Sequence, residues 1–182
     1  GCIVITTTNV YIIFIYYESL YTKTSILFLD SRGISMYLTQ HTDYALRVLM
    51  FAAVNNENLV NISDIAQTYD ISKSHLMKVV TALVKGDFLE GVRGKGGGLR
   101  LALAAELINV GAVVRHMESF KLVECMGENN HCVITPNCRL AGVLSEATTV
   151  FLNHLDHFSL ADLLNPPTYE LLYLPQTDHT AS

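Results

Sequence analysis

Three cysteines fall within fourteen residues, Cys125, Cys132 and Cys138 in the run CMGENNHCVITPNC, and the only other cysteine is Cys2. Thiolates this close on irregular chain can converge on one metal centre. Three is an odd number for disulfides and one short of the four thiolates that usually hold zinc or an iron–sulfur cluster. The intervals of six and five residues are wider than the C-x2–4-C pairs of zinc fingers. They suit a loop around a larger iron–sulfur core, and spacing alone leaves zinc and free thiols open. His131, Glu128 and His116 are the nearby candidates for a fourth ligand.

The 182 residues suit one domain of ordinary size with a dimerising appendage, and 50% hydrophobic composition supplies a core. Net charge is −5, which by itself does not advertise a nucleic-acid partner. Its distribution does. Lys73, Lys78, Lys85, Arg93, Lys95 and Arg100 face only Asp87 and Glu90 in the same stretch, a local +4, whereas the chain from Ala102 onward carries −6. This asymmetry points to a basic working face and an acidic remainder. Lys95 is followed by Gly96 rather than Ser or Thr, so the glycine run around it is not a phosphate loop. No nucleophile–base motif or dinucleotide fingerprint stands out, which argues against an enzyme or electron carrier. The basic stretch argues against a purely structural dimerisation module.

The elements that must position these residues are mostly helical. Ala45, Val48, Leu49 and Ala52 recur at helical spacing over 39–54. Ser63 is the expected cap of a short helix, and Ser72 of a third with an apolar stripe of Leu76, Val79, Val80 and Leu83. Gly86 follows where a left-handed glycine would close that helix. Two extended runs flank the glycine loop 94–98 and read as a β-hairpin. A helix–turn–helix followed directly by a hairpin is a winged helix–turn–helix. In that arrangement the second helix enters the major groove, so Ser72, Lys73, Ser74, His75 and Lys78 are the candidate DNA-reading residues, with Met77 and Thr81 on the same side. Arg93 and Lys95 on the small-residue wing can reach the backbone or a narrow minor groove.

The fold class expected is therefore mainly α with a small β-hairpin: a winged helix–turn–helix over 36–104, a connecting helix and cysteine loop over 105–138, and a long dimerisation helix with a short following helix over 139–165. Leu140, Val143, Leu144, Ala147, Val150, Phe151, His154, Leu155 and Phe158 form the seam of that long helix. Residues 166–182 are expected to be a flexible tail. Residues 1–35, uncharged from Cys2 to Tyr17 and rich in Ile, Val, Thr and Tyr, are expected to be an incidental extension; a membrane-seeking tail is the alternative. The stretch is shorter than the span of about 20 apolar residues a membrane helix needs. A soluble cytoplasmic protein with no membrane partner is expected, and clustered cysteines in that compartment favour metal over disulfide.

Residues 36–164 resemble the bacterial winged-helix iron–sulfur repressors. The resemblance rests on MYLTQHTDYALRVLMFAA, on ISDIAQTYDISKSHLMKVVTALVKGDFLEGVRGKGGGLRLA, and on C-x6-C-VITPN-CRLAGVLSEA followed by FSLADLL. The ITP-x-CRL and SLADL runs look like the nitric oxide-sensitive branch. A histidine three residues after the third cysteine marks another branch, and that position is Ala141 here. The resemblance implies a homodimeric repressor on a palindromic operator, with nitric oxide as effector and an iron–sulfur cluster, 4Fe–4S or 2Fe–2S, on Cys125, Cys132 and Cys138. It also implies a fourth ligand from the first helix of the other subunit, at the position matched by Asp43, with Arg47 one turn further on. The alternative within the same family is a regulator that senses iron, cluster supply or redox state. The six-residue first interval is longer than in many relatives.

Overall fold

In the computed structural model, which describes residues 3–7, 10–14, 38–128 and 130–174, the chain divides into Gly1–Tyr37 and Leu38–Ser182. In the first unit β1 (Ile3–Thr7) and β2 (Val10–Phe14) pair antiparallel, consistent with their β-branched and aromatic content. The rest of the 1–35 segment expected to be an extension lies outside the described residues.

The second unit is built around α1 (Gln40–Val54). Thr39 is extended and its hydroxyl accepts the Thr42 N–H at 3.4 Å, which starts the helix. The expected stripe of Ala45, Val48, Leu49 and Ala52 is buried, and Phe51, Ala53 and Val54 are buried too. A helix apolar on most of its circumference must be covered on several sides. Here the helices Lys73–Lys85, Val110–Met117 and Pro166–Leu172 and the strand Gly98–Leu101 all pack on it.

The helix–turn–helix follows. Helix α2 (Ile62–Tyr69) starts two residues earlier than a Ser63 cap would place it: Asn61 occupies the cap position, without a side-chain bond, and its carbonyl accepts the Asp64 and Ile65 N–H groups. Asp70 in the left-handed region (φ 53°) ends it. Ser72 then caps α3 (Lys73–Lys85) as expected, accepting the His75 N–H, and Leu76, Val79, Val80 and Leu83 are buried. Gly86 is not the left-handed residue: its φ is −90°, and Asp87 (φ 58°) makes the turn. The missing side chain matters for another reason, because a Cβ on it would lie 2.7 Å from Nε2 of His116 and the ring would have to shift.

Strands β3 (Leu89–Val92) and β4 (Gly98–Leu101) form the wing, with Leu89 opposite Leu101 and Val92 opposite Gly98. Gly94 and Gly96 at its tip have φ of 113° and 79°, which side chains rarely tolerate. Leu99 and Val60 exchange two backbone hydrogen bonds of 2.8 and 2.9 Å, pinning the wing to the α1–α2 connection.

The connecting helix expected after residue 105 begins later. A 3-10 turn covers Ala105–Leu107, and Asn109 caps α4 (Val110–Met117) by accepting the Ala112 N–H at 2.9 Å. After the cysteine loop comes α5 (Leu140–Leu155). Its buried residue is Leu152, which packs with Val110 and Val114 of α4 in a second, smaller core. The expected seam lies largely uncovered in the single chain, with Leu140, Val143 and Val150 all more than half exposed.

The expected flexible tail over 166–182 is corrected at its start. Asn165 caps α6 (Pro166–Leu172), with prolines in the first turn where their missing N–H costs nothing. The helix is tied down by Asn55, 6% exposed. Its amide donates to the Leu172 and Phe51 carbonyls at 2.9 Å and accepts the Leu174 N–H at 2.8 Å. Asn55→Ala leaves backbone groups at the end of α6 unpaired and is expected to destabilise the fold by about 1–3 kcal/mol. Urea unfolding checks the loss, and hydrogen exchange should rise selectively over residues 166–174.

Candidate DNA interface and metal loop

On α3 the core stripe fixes which side chains face outward. Ser74, Lys78, Thr81 and Lys85 lie opposite Leu76, Val79, Val80 and Leu83, and all four are exposed. Ser72, Lys73 and His75 are exposed at the helix start. Arg93 and Lys95 are exposed on the wing. The structure thus brings the recognition-helix start and the wing tip to solvent as the sequence predicts, and Lys73, Lys78, Arg93 and Lys95 have no ion-pair partner among the described residues. Arg100 differs from them. Its guanidinium binds Glu90 across the hairpin at 2.7 and 2.8 Å, so it braces the wing.

Between α3 and the wing runs an open groove of about 630 Å³. Met77 and Val84, seven residues apart on one flank of α3, form one wall, and Val92 and Arg93 the other. Asn61 and Ser63 at the start of α2 close one side. The sequence reading recognised Met77 but not this groove, because pinning of the wing to Val60 is a long-range contact with no local signal.

The three cysteines occupy one surface loop. Cys125 sits in a 3-10 turn (Glu124–Met126), and Cys138 directly follows another (Thr135–Asn137). Each of the three is half-buried and free. The loop is closed by its own polar groups. The Cys132 N–H donates to Asn130 Oδ1 at 3.0 Å, the Thr135 hydroxyl donates to the Cys132 carbonyl at 2.8 Å, and the His131 N–H donates to Glu124 Oε1 at 2.8 Å. Apolar packing contributes little there, since Val133 is 91% and Ile134 60% exposed. Among the described residues no group of three or more His, Cys, Asp or Glu side chains stands in a metal-binding arrangement. Among the described residues the loop therefore does not gather the three thiols on one point. The donor set itself, three free thiols, fits a soft metal or an iron–sulfur cluster.

The candidates for a fourth ligand sort by what they touch. His116 Nε2 lies 2.8 Å from the Ala82 carbonyl of α3, which engages that ring nitrogen with the recognition helix. Glu128 is exposed and 3.7 Å from Lys121. His131 is exposed in the loop, where its backbone N–H is engaged. Asp43, in the first turn of α1, is half-exposed and held by Arg47 at 2.8 and 3.0 Å. Arg47 lies over the Tyr69 ring, 5.8 Å from its centroid, and the Tyr69 hydroxyl donates to the Arg47 carbonyl at 3.1 Å. Burial pushes the Tyr69 phenol up to about 12, so it remains a neutral donor there.

The family model described as iron-dependent transcriptional regulator, Rrf2, matches residues 38–166. The chain belongs to the Rrf2 family. The HTH-type transcriptional regulator NsrR of Bacillus licheniformis is 53% identical over 132 residues, covering 71% of this chain and 92% of that protein. NsrR of Bacillus subtilis is 50% identical over 132 residues, with 71% and 90% covered. In fold the chain is similar to T. potens IscR (TM-score 0.55, 22% identity, covering 73% of this chain and 88% of that one). It is also similar to CymR, the global cysteine regulator of B. subtilis (TM-score 0.52, 21% identity, 71% and 96% covered). This Rrf2 chain is accordingly a transcriptional regulator, and its winged helix–turn–helix is the DNA-binding part.

Replacing Lys78 or Arg93 by alanine removes one exposed cation without touching the core. If each neutralises one phosphate, the slope of log affinity against log salt falls in magnitude by about one per substitution and subunit. A salt series of mobility-shift titrations checks this. Arg100→Ala, which loses an internal pair, should leave the slope nearly unchanged.

Proposed function

We propose that this chain is a cytoplasmic, nitric oxide-sensing repressor that binds a palindromic operator as a homodimer and releases it when nitric oxide reaches its iron–sulfur cluster, so that genes for nitric oxide detoxification are expressed. The observation that carries the reading is the three free thiols on the segment joining α4 to α5, in a chain half identical to two proteins named NsrR. Cys125, Cys132 and Cys138 would hold the cluster, and Asp43 of the partner subunit would complete the set. Bound there, the cluster supplies iron that is reactive towards nitric oxide.

The residues of this chain do the rest. A carboxylate is a harder donor than a thiolate and is the weakest-held member of such a set. Arg47 stands beside Asp43 as a competing partner. Asp43 rides on α1, whose Val48, Leu49 and Ala52 are buried in the same core as Leu76, Val79 and Leu83 of α3. Ligation or release at Asp43 therefore acts on a rigid element that supports the recognition helix. The uncovered seam of α5, with Leu140, Val143 and Val150 exposed, supports a second copy as its cover. A two-fold axis there presents two reading heads, which is why the operator is expected to be palindromic, with half-sites about 34 Å apart or a multiple of that.

The test is operator binding under anaerobic conditions at one fixed salt concentration, by cluster-free, cluster-loaded and nitric oxide-treated protein. Loaded protein is expected to bind at least about fivefold tighter than cluster-free protein, within the usual range of coupling between sites. Nitric oxide treatment should return it to the cluster-free level, and Asp43→Ala should lower the loaded affinity toward it. Retention of full affinity after nitric oxide treatment would sink the reading.

A further inference from the structure

The C-terminal end of α4, from which the cysteine loop departs, reaches three other helices through three polar side chains, those of Arg115, His116 and Glu118. Arg115 makes a two-pronged pair with Asp156 at the end of α5, at 2.5 and 2.6 Å. Glu118 Oε1 accepts the Thr39 N–H at the start of α1, at 2.6 Å. His116 reaches the recognition helix. Its Nε2 lies 2.8 Å from the Ala82 carbonyl, and its ring meets Phe88 edge-on at 5.6 Å. A carbonyl oxygen can only accept, so Nε2 carries the hydrogen.

The fit is close. Gly86 has an ordinary φ of −90°, so any residue could adopt its backbone, yet a Cβ there would lie within 2.7–2.9 Å of three atoms of the His116 ring. The same Ala82 carbonyl accepts the Gly86 N–H at 3.0 Å, so the histidine bonds to the group that closes the recognition helix. An exposed carbonyl at a helix end is readily satisfied by water. A ring from another element occupying that place, over a residue with no side chain, therefore serves position rather than hydrogen-bond satisfaction.

We infer that His116 is a positioning residue that transmits the state of the cysteine loop to the C-terminal end of the recognition helix, by a route separate from Asp43 and α1. This rests on the reading that cluster state controls operator affinity. When the chain from residue 119 onward rearranges to gather the thiols, the last turn of α4 moves with it, and His116 carries that movement to Ala82 and Gly86.

The experiment compares wild type, His116→Ala, His116→Gln and Gly86→Ala. The glutamine keeps an N–H donor near the Nε2 position. The Gly86 substitution displaces the ring without changing it. The first readout is the ratio of operator affinities with and without reconstituted cluster, at equal iron and sulfide content. The ratio should fall at least about fivefold toward one in His116→Ala and Gly86→Ala, and stay close to wild type in His116→Gln. A merely structural role would weaken both affinities alike and leave the ratio unchanged, and that result overturns the inference. The second readout uses cluster-free protein: exchange of the Gly86 amide should quicken in His116→Ala but not in His116→Gln, and unchanged exchange in His116→Ala also overturns the inference. A wild-type ratio of one would instead overturn the proposed function, while the exchange measurement still decides whether His116 holds the helix end.

Discussion

Helix α1 cannot move without carrying the recognition helix with it. Ala45, Val48, Leu49 and Phe51 have no exposed surface and share one core with Leu76, Val79 and Leu83 of α3, Leu99 of β4 and Leu172 of α6. Interiors of this kind are close-packed and transmit displacement rather than absorbing it. The first turn of the same helix emerges from the core and exposes Asp43. The first turn of a rigid rod is thus open to outside chemistry while its buried face shares a core with the DNA-reading helix. The wing belongs to the same body through the paired backbone bonds of Val60 and Leu99.

The cysteine loop is built on the opposite plan. Its bonds are short-range and polar, from Asn130, Thr135 and Glu124 to neighbouring backbone, and its large apolar side chains face solvent. A segment with so little buried surface has a low cost of rearrangement. That suits a ligand loop, because metal binding supplies the free energy that gathers the donors. The contrast places the boundary between rigid and adaptable parts at the last turn of α4, where Arg115, His116 and Glu118 fasten the loop's root to three helices.

Much of this was legible in the sequence because it is local. The spacing of Ala45, Val48, Leu49 and Ala52, the Ser72 cap and the glycine wing each follow from helical period, capping chemistry or positive φ, and each is present. Where the reading missed, a distant contact decided. Helix α6 forms in a segment read as loose because Asn55, more than a hundred residues earlier, supplies its terminal hydrogen bonds. Gly86 looked like a left-handed cap and is instead a seat for the His116 ring, a role that no spacing within α3 could announce. Arg100 adds to the local positive charge in the sequence, yet its pairing with Glu90 makes it a brace of the hairpin. The nearness of His116 in sequence to Cys125 does not announce its bond to the Ala82 carbonyl of α3.

In the proposed repressor the three thiols of one chain are completed by the carboxylate of the partner subunit's Asp43. Mixed dimers test this most directly. One parent carries Asp43→Ala with all cysteines intact; the other carries Asp43 with Cys125, Cys132 and Cys138 replaced by serine. Each parent dimer lacks a complete donor set. If the carboxylate acts across the dimer, the mixed dimer regains one complete site, and iron retained under a chelator challenge should be about half that of the wild-type dimer. If the mixed dimer retains no more iron than the average of its parents, the donor does not come from the partner subunit's Asp43 and the account is contradicted.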